Sequence, residues 1–292
     1  MMQVATCRTP AEFFAETLEY RAADPLRTNV MATVAAGAAS HPARYEVCYW
    51  WVVRDAKGHV AGAAIHTPPH PVGLGPMPAA SVKALARHLG STGLELPSLV
   101  GIEQQVSAFI DEYASVATQD TRTFEVSRRD VLYDVERLVV PTVPGKAEVA
   151  TETDLALAES WYADFSEEID GVRRDADHAG REALRAVLGE GRLYWWRDRG
   201  QVVSMAAHNV TIATPGASVT RVGPVFTPKS QRRHGYAAGV SAAVTAELLD
   251  RGSTVMLFAD EANATSNGVY QSLGYRRVDV LVVATPQGGG AR

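Results

Sequence analysis

The chain has 292 residues, a formal net charge of -5, 46% apolar residues and 21% charged residues. Those proportions exclude global disorder, and no apolar run approaches the ~20 residues of a membrane helix. The acidic balance disfavours general nucleic-acid binding, and a length about twice that of a typical domain sets two domains as the starting expectation.

The N-terminal "MMQVATCRTPAEFF" has no basic region followed by a long apolar core, so no secretory signal is expected. Cys7 and Cys48 form neither a metal-ligand spacing nor a disulfide framework, which fits a reducing, cytoplasmic setting. Residues 49–66, "YWWVVRDAKGHVAGAAIH", read as an aromatic strand, a polar glycine turn and a second strand, a β-hairpin signal. A helix is expected over about 79–90, then the apolar strand "SLVGI", a helix over about 103–116 and a strand over about 122–133. The segment "VPTVPGK" at 140–146 reads as a linker.

After the linker, "TDLALAESWYADFSEEI" has apolar residues at helical spacing, with Thr153 as its N-cap. Trp161, Tyr162 and Phe165 suit a core at that spacing and also suit an aromatic pocket. A second hairpin, "YWWRDRGQVVSMAAH" at 194–208, echoes the first at an offset near half the chain, which points to duplication. Strand "VTRVGPVF", a helix over about 235–251, strand "TVMLFA", a helix over about 263–273 and strand "RRVDVLVVAT" follow. Strands alternating with helices after an opening hairpin predict a mixed α/β sheet flanked by helices. The end, "PQGGGAR", reads as a flexible tail.

Within the second half, "SQRRHGYAAG" gathers cations before a glycine. A strand ending near Phe226 and a helix opening at Gly235–Tyr236 place unpartnered backbone N–H groups and the positive end of a helix dipole at this loop. Glycine permits close approach of a ligand, and Arg232 and Arg233 supply forks suited to phosphate. The combination predicts an anion site of the phosphate-binding type. Neither a Walker loop nor a G-x-G-x-x-G fingerprint is present. The matching stretch of the first half, "HTPPHPVGLGPMPAA", has no arginine, so only the second half is expected to keep the site.

Downstream, "NATSNGVYQSLGY" places Asn263, Ser266 or Asn267, and Tyr270 on one helix face, with Asn263 also suited to N-capping. The order strand, "RRHGYA" loop, helix, strand, "N-x-x-S-N-x-x-Y-x-x-x-G-Y" resembles the GNAT superfamily of acyl-CoA-dependent N-acyltransferases. Its loop is similar to the family's Q/R-x-x-G-x-G/A pattern at Arg232, Gly235 and Ala237. The resemblance is strong over roughly 147–284 and rests on the internal echo over 1–140.

The resemblance implies a tandem GNAT-like architecture: a degenerate domain over 1–140, a linker over 141–146, an intact catalytic domain over 147–284 and a tail over 285–292. It implies that the loop Arg232, Arg233, His234, Gly235, Tyr236 and Ala237 holds the pyrophosphate of acetyl-CoA. Val225, Phe226 and Thr227 would pair with the pantetheine arm, Asn263 would contact it with Ser266 and Asn267 nearby, and Tyr270 would protonate the departing thiolate. A positioned O–H is suited to that general-acid task, and strand N–H groups to polarising the carbonyl. No metal is needed. Glu167, Glu168, His208, Asp260 and Glu261 are titratable groups near the expected acceptor or cofactor regions, and none stands out as a base. The implied partners are acetyl-CoA and an amine, with no nucleic acid or membrane, and a monomer completed by an internal pseudo-dimer. A catalytically silent CoA-binding sensor or structural module is the alternative.

Overall fold

A computed structural model describes residues 2–117 and 122–287. The first half runs β1 (Gln3–Cys7), α1 (Pro10–Glu16), α2 (Leu18–Ala23), α3 (Asn29–Ser40), β2 (Tyr49–Arg54), β3 (Val60–His66), β4 (Val72–Leu74), α4 (Ala79–Thr92), β5 (Leu99–Ile102), α5 (Glu103–Val116) and β6 (Thr123–Val135). The second runs β7 (Lys146–Val149), α6 (Leu155–Asp170), α7 (His178–Gly189), β8 (Leu193–Asp198), β9 (Gln201–His208), β10 (Ile212–Thr214), β11 (Ala217–Phe226), α8 (Tyr236–Asp250), β12 (Thr254–Asp260), α9 (Ala264–Ser272) and β13 (Arg276–Gln287). The expected mixed α/β sheet is present, and both "YWW" hairpins form, as β2–β3 and β8–β9. Strand β13 continues through Gln287, and residues 288–292 of the expected tail lie outside the described residues.

Paired tryptophans explain the echo between the halves. Successive strand residues face opposite sides of a sheet. Trp50 packs with Phe13, Met31 and Ala35 of α1 and α3, while Trp51 packs with Val82, Leu85 and Leu89 of α4. In the second half Trp195 packs with Trp161, Leu184 and Leu188 of α6 and α7, while Trp196 packs against Val240 and Val244 of α8. Each "WW" therefore anchors a helix layer on each face of its half-sheet.

One 13-stranded sheet carries both halves, in the order β1-β2-β3-β4-β5-β13-β6-β12-β11-β9-β8-β7, with β10 beside β11. The centre is an exchange. Strand β13 of the second half pairs with β5 of the first at Leu281↔Ile102 through Ala284↔Leu99. Strand β6 of the first half pairs with β12 of the second from Val255↔Val135 to Asp260↔Asp130. Leu132, Val219 and Met256 form a buried cluster at this seam. Alternating apolar positions make β6 and β13 central strands, but only tertiary partners reveal whose neighbour each one is.

One local expectation is corrected. Thr153 does not cap α6. Thr151 makes the capping box instead: its N–H donates to Asp154 Oδ2 at 2.8 Å, and a single 3-10 turn, Glu152–Asp154, leads into the helix. The acidic group three residues on completes the reciprocal pairing that Thr153 lacks.

Candidate active site

Strands β11 and β12 run parallel and pair only at Val219↔Thr254, Thr220↔Val255 and Arg221↔Met256. Past Arg221, β11 keeps β9 as its partner, at Val222↔His208, Val225↔Ala206 and Phe226↔Met205, with a bulge between Val222 and Val225. On the other side, Leu257–Asp260 of β12 pairs only with β6. A wedge therefore opens between Val222–Phe226 and Leu257–Asp260, with backbone groups free to bind an extended ligand. In the first half the end of the corresponding strand is closely packed: a Cβ added at Gly75, just after β4, would lie 2.2 Å from Tyr20 Oη and 2.5 Å from Met31 Cε.

At the open end of the wedge the chain passes through Thr227, a 3-10 turn at Lys229–Gln231, and the arginine loop into α8. Arg233 and Gly235 hold left-handed backbone, at φ 69° and 80°. Among the described residues, the N–H groups of Arg233 through Ala238 donate to no protein acceptor, and no side chain caps α8. That is a row of free donors at the positive end of a 15-residue helix. Arg232, Arg233, His234 and Gly235 are exposed.

The loop is fixed from beneath. Tyr236 is buried and donates to Asp198 Oδ2 at 2.7 Å, an interaction that holds its own pKa above the ordinary value; His234 stacks on it at 5.3 Å. Arg232 Nε donates to the Thr227 carbonyl at 2.9 Å and its Nη2 pairs with Glu168 of α6. Gly239 lets α8 sit on the sheet, since a Cβ there would lie 2.9 Å from the Trp196 indole. Trp196 Nε1 in turn donates to the Pro144 carbonyl at 2.8 Å, which draws residues 140–146 over the helix, with Val143 against Gly235.

Helix α9 brings the remaining predicted residues. Asn263 accepts from Ser266 N at 3.0 Å as N-cap. Asn267 is turned inward: its Nδ2 donates to the Asp260 and Asn263 carbonyls at 2.8 Å, and its Oδ1 accepts from Tyr133. Tyr270 is buried in one cluster with Val222 and Leu257, which stand on either side of the wedge, and its ring lies 5.9 Å from Tyr275. Its hydroxyl has no hydrogen-bond partner among the described residues, and burial pushes its pKa up to about 12. A phenol held protonated beside the wedge is equipped to donate a proton.

Residues 199–283, the stretch that holds this wedge, loop and helix, match the FR47-like protein family. None of the curated proteins matches the sequence. Among solved structures, the chain is similar to a tandem GNAT protein from the clavulanic acid biosynthesis pathway, at 12% identity and TM-score 0.59, with 100% of both chains covered. It is similar to a GNAT-family acetyltransferase from Colwellia psychrerythraea at 10% identity and TM-score 0.58, covering 98% of this chain and 100% of the other. A GCN5-related N-acetyltransferase from Kribbella flavida aligns at 20% identity and TM-score 0.52, covering 88% and 95%. The fold is that of the GNAT superfamily, in tandem.

Other titratable groups around the GNAT wedge are engaged. Glu168 pairs with Arg232, Glu261 with Arg277 at 2.6 Å, and Asp260 accepts from Ala262 N at 2.9 Å. His208 faces α8, with Nδ1 2.8 Å from the Asn209 carbonyl, and burial lowers its pKa. Trp161 is core, at 5.3 Å from Trp195 and 5.6 Å from Phe226. Sequence reasoning passed over Asp198 and Tyr133, which hold Tyr236 and Asn267 from distant strands, because hydrogen bonds over such separations leave no local pattern.

Proposed function

We propose that the protein is an acyl-CoA-dependent N-acyltransferase, with acetyl-CoA as donor, and that its chemistry resides in the second half. The observation that carries this reading is the run of free N–H groups from Arg233 to Ala238 at the mouth of an unpaired wedge, with Tyr270 beside it. On this reading the loop binds the pyrophosphate with Arg232 and Arg233 adding charge, and Val225, Phe226 and Thr227 offer backbone to the pantetheine arm. Phe226 contributes only backbone, because its side chain is buried against Trp161. Asn263, Ser266 and Asn267 shape the near end of α9.

The donor supplies a thioester whose acyl carbon is attacked by an amine nitrogen as the C–S bond breaks. The chain's part is to hold both reactants in reacting geometry, polarise the carbonyl with wedge N–H groups and protonate the departing sulfur from Tyr270. The proton that the attacking nitrogen sheds leaves to solvent, and Tyr270 takes one back from solvent to close the cycle. The first half, with Tyr20 and Met31 packed against Gly75 at the end of β4, serves as a degenerate copy that completes the sheet and one wall of the acceptor side.

Calorimetric titration with acetyl-CoA and a thiol-release assay over an amine panel test the reading. Binding that weakens at least about ten-fold in the double variant Arg232→Ala, Arg233→Ala supports the loop assignment. Unchanged affinity would sink it, and tight binding without turnover on any amine would favour a sensor.

A further inference from the structure

Arg221 is the last residue of β11 to pair with β12, at Met256, so its side chain stands about one residue rise, ~3.3 Å, from the point where the wedge opens. Val222 faces α8, and alternation sends Arg221 to the opposite face of the sheet, with Val219. There it meets the first half. Its Nη2 lies 3.5 Å from Thr33 Oγ1 of α3. With its amide oxygen turned to the guanidinium, Asn209 accepts from Nε at 3.1 Å and Nη2 at 3.2 Å.

Among the described residues, Nη1 has no protein partner and no carboxylate pairs with Arg221. The group is only partly covered, yet its surroundings desolvate it enough to bring its pKa down to about 10, with Tyr45 opposing the shift. Arg44 stands over the Tyr45 ring at 5.5 Å, and Arg44 and Arg192 both act electrostatically on Tyr162 of α6. Arg192 already has Glu190 at 2.8 Å, whereas Arg44, like Arg221, has no acidic partner among the described residues. In a chain of net charge -5, Arg221 is thus a cation without an acidic partner where the second half meets the first. A cation withdrawn from water without a counter-ion is costly, and an incoming anion relieves that cost.

We propose that the acceptor is a compact amine bearing a carboxylate, and that Arg221, backed by Thr33 and Tyr45 of the first half, holds that carboxylate on the face of the wedge opposite Tyr270. This rests on the acyltransferase reading above. The single free Nη1 beside neutral hydroxyls suits a carboxylate, and its closeness to the wedge allows only a few bonds between acid and amine. The first half thereby becomes a specificity wall.

The test compares acids with their amides: alanine and alaninamide, β-alanine and β-alaninamide, γ-aminobutyrate and its amide. Wild type is expected to use the acid of at least one pair about ten-fold better in kcat/KM. That ratio should collapse toward one in Arg221→Gln and recover partly in Arg221→Lys, with acetyl-CoA affinity unaltered in both. Because each variant is its own control through the amide, impaired folding does not mimic this result. Equal use of acids and amides by wild type, or a ratio that survives Arg221→Gln, overturns the inference. So does a protein that binds acetyl-CoA but acetylates no member of the panel. If acetyl-CoA itself fails to bind, the acyltransferase reading falls instead. Thermal-shift titration of the same acids and amides against wild type and Arg221→Gln then decides the carboxylate site alone.

Discussion

Tyr133 of β6 donates a 2.8 Å hydrogen bond to Oδ1 of Asn267 in α9, and so the first half positions the helix that carries Tyr270. Gln271 Nε2 adds a 3.2 Å bond to the same phenol. Tyr133 is fully buried. Tyr133→Phe leaves Oδ1 unsatisfied, a loss of about 1–3 kcal/mol. The expected outcome is a lowered melting temperature and a kcat several-fold down, with acetyl-CoA affinity little changed. Calorimetry beside steady-state kinetics checks the split.

On the acyltransferase reading proposed above, Tyr270→Phe removes the proton donor. A kcat loss of roughly a hundred-fold or more is expected, since general-acid assistance contributes about 10²–10⁴-fold. The pH dependence carries further information. A tyrosine of ordinary pKa would lose its proton near 10, and with it activity; at about 12, Tyr270 remains protonated throughout a usual assay range. Wild-type kcat should therefore show no falling limb up to about pH 10. A falling limb centred at lower pH in wild type and absent from the variant would contradict the stated role of burial.

Much of the fold was legible because it rests on local signals. The turn glycines, the paired tryptophans and the helical spacing of Val240, Val244 and Leu248 each act within one element. The arginine loop was legible too, since a glycine with left-handed backbone and a helix N-terminus are sequence-local features. The exchange of β6 and β13 was not, because any alternating apolar strand satisfies the same pattern beside either neighbour. Arg221 stood in plain view within "VTRVGPVF", but its significance comes from α3 and from Asn209, which no spacing rule connects to it.

Gly239 sets the seat of α8. Gly239→Val would put a Cβ 2.9 Å from the Trp196 indole, which its bond to Pro144 holds in place. Overpacking of this kind costs about 1–3 kcal/mol, and weaker acetyl-CoA binding should accompany it because the helix start is displaced. Gly268 in α9 provides the contrast: nothing lies within 4 Å of its added Cβ. Gly268→Ala should stabilise by up to about 1 kcal/mol through helix propensity alone. Denaturant midpoints of the two variants, moving in opposite directions, check both statements.

The two hairpins end in His66 and His208, at 2% and 5% exposure, and burial lowers the pKa of each. Among the described residues, neither His66 nitrogen nor His208 Nε2 makes a hydrogen bond within normal geometry. In the unfolded chain both take a proton near the ordinary histidine value of about 6.5, whereas the folded protein resists protonation until lower pH. The unfolded state thus binds more protons below about pH 6.5, and stability must fall as pH drops through that value. The contribution is complete above it. Urea midpoints at pH 5 and 7.5 should differ less in His66→Gln, His208→Gln than in wild type.

Strand exchange makes the second half dependent on the first. A fragment of residues 141–292 would bare the β12 edge from Val255 to Asp260, which β6 covers in the whole chain, and would leave β13 without β6 between itself and β12. An exposed apolar edge of that length is a site for association. The fragment is expected to be insoluble or oligomeric, although it contains the entire wedge, loop and Tyr270. Residues 122–292 keep β6 and so retain the β12–β6–β13 order, exposing only the β13 edge that β5 covers. Its solubility and its acetyl-CoA binding should both exceed those of the shorter fragment. Gel filtration of the two side by side measures how much of the second half's integrity is supplied by one borrowed strand.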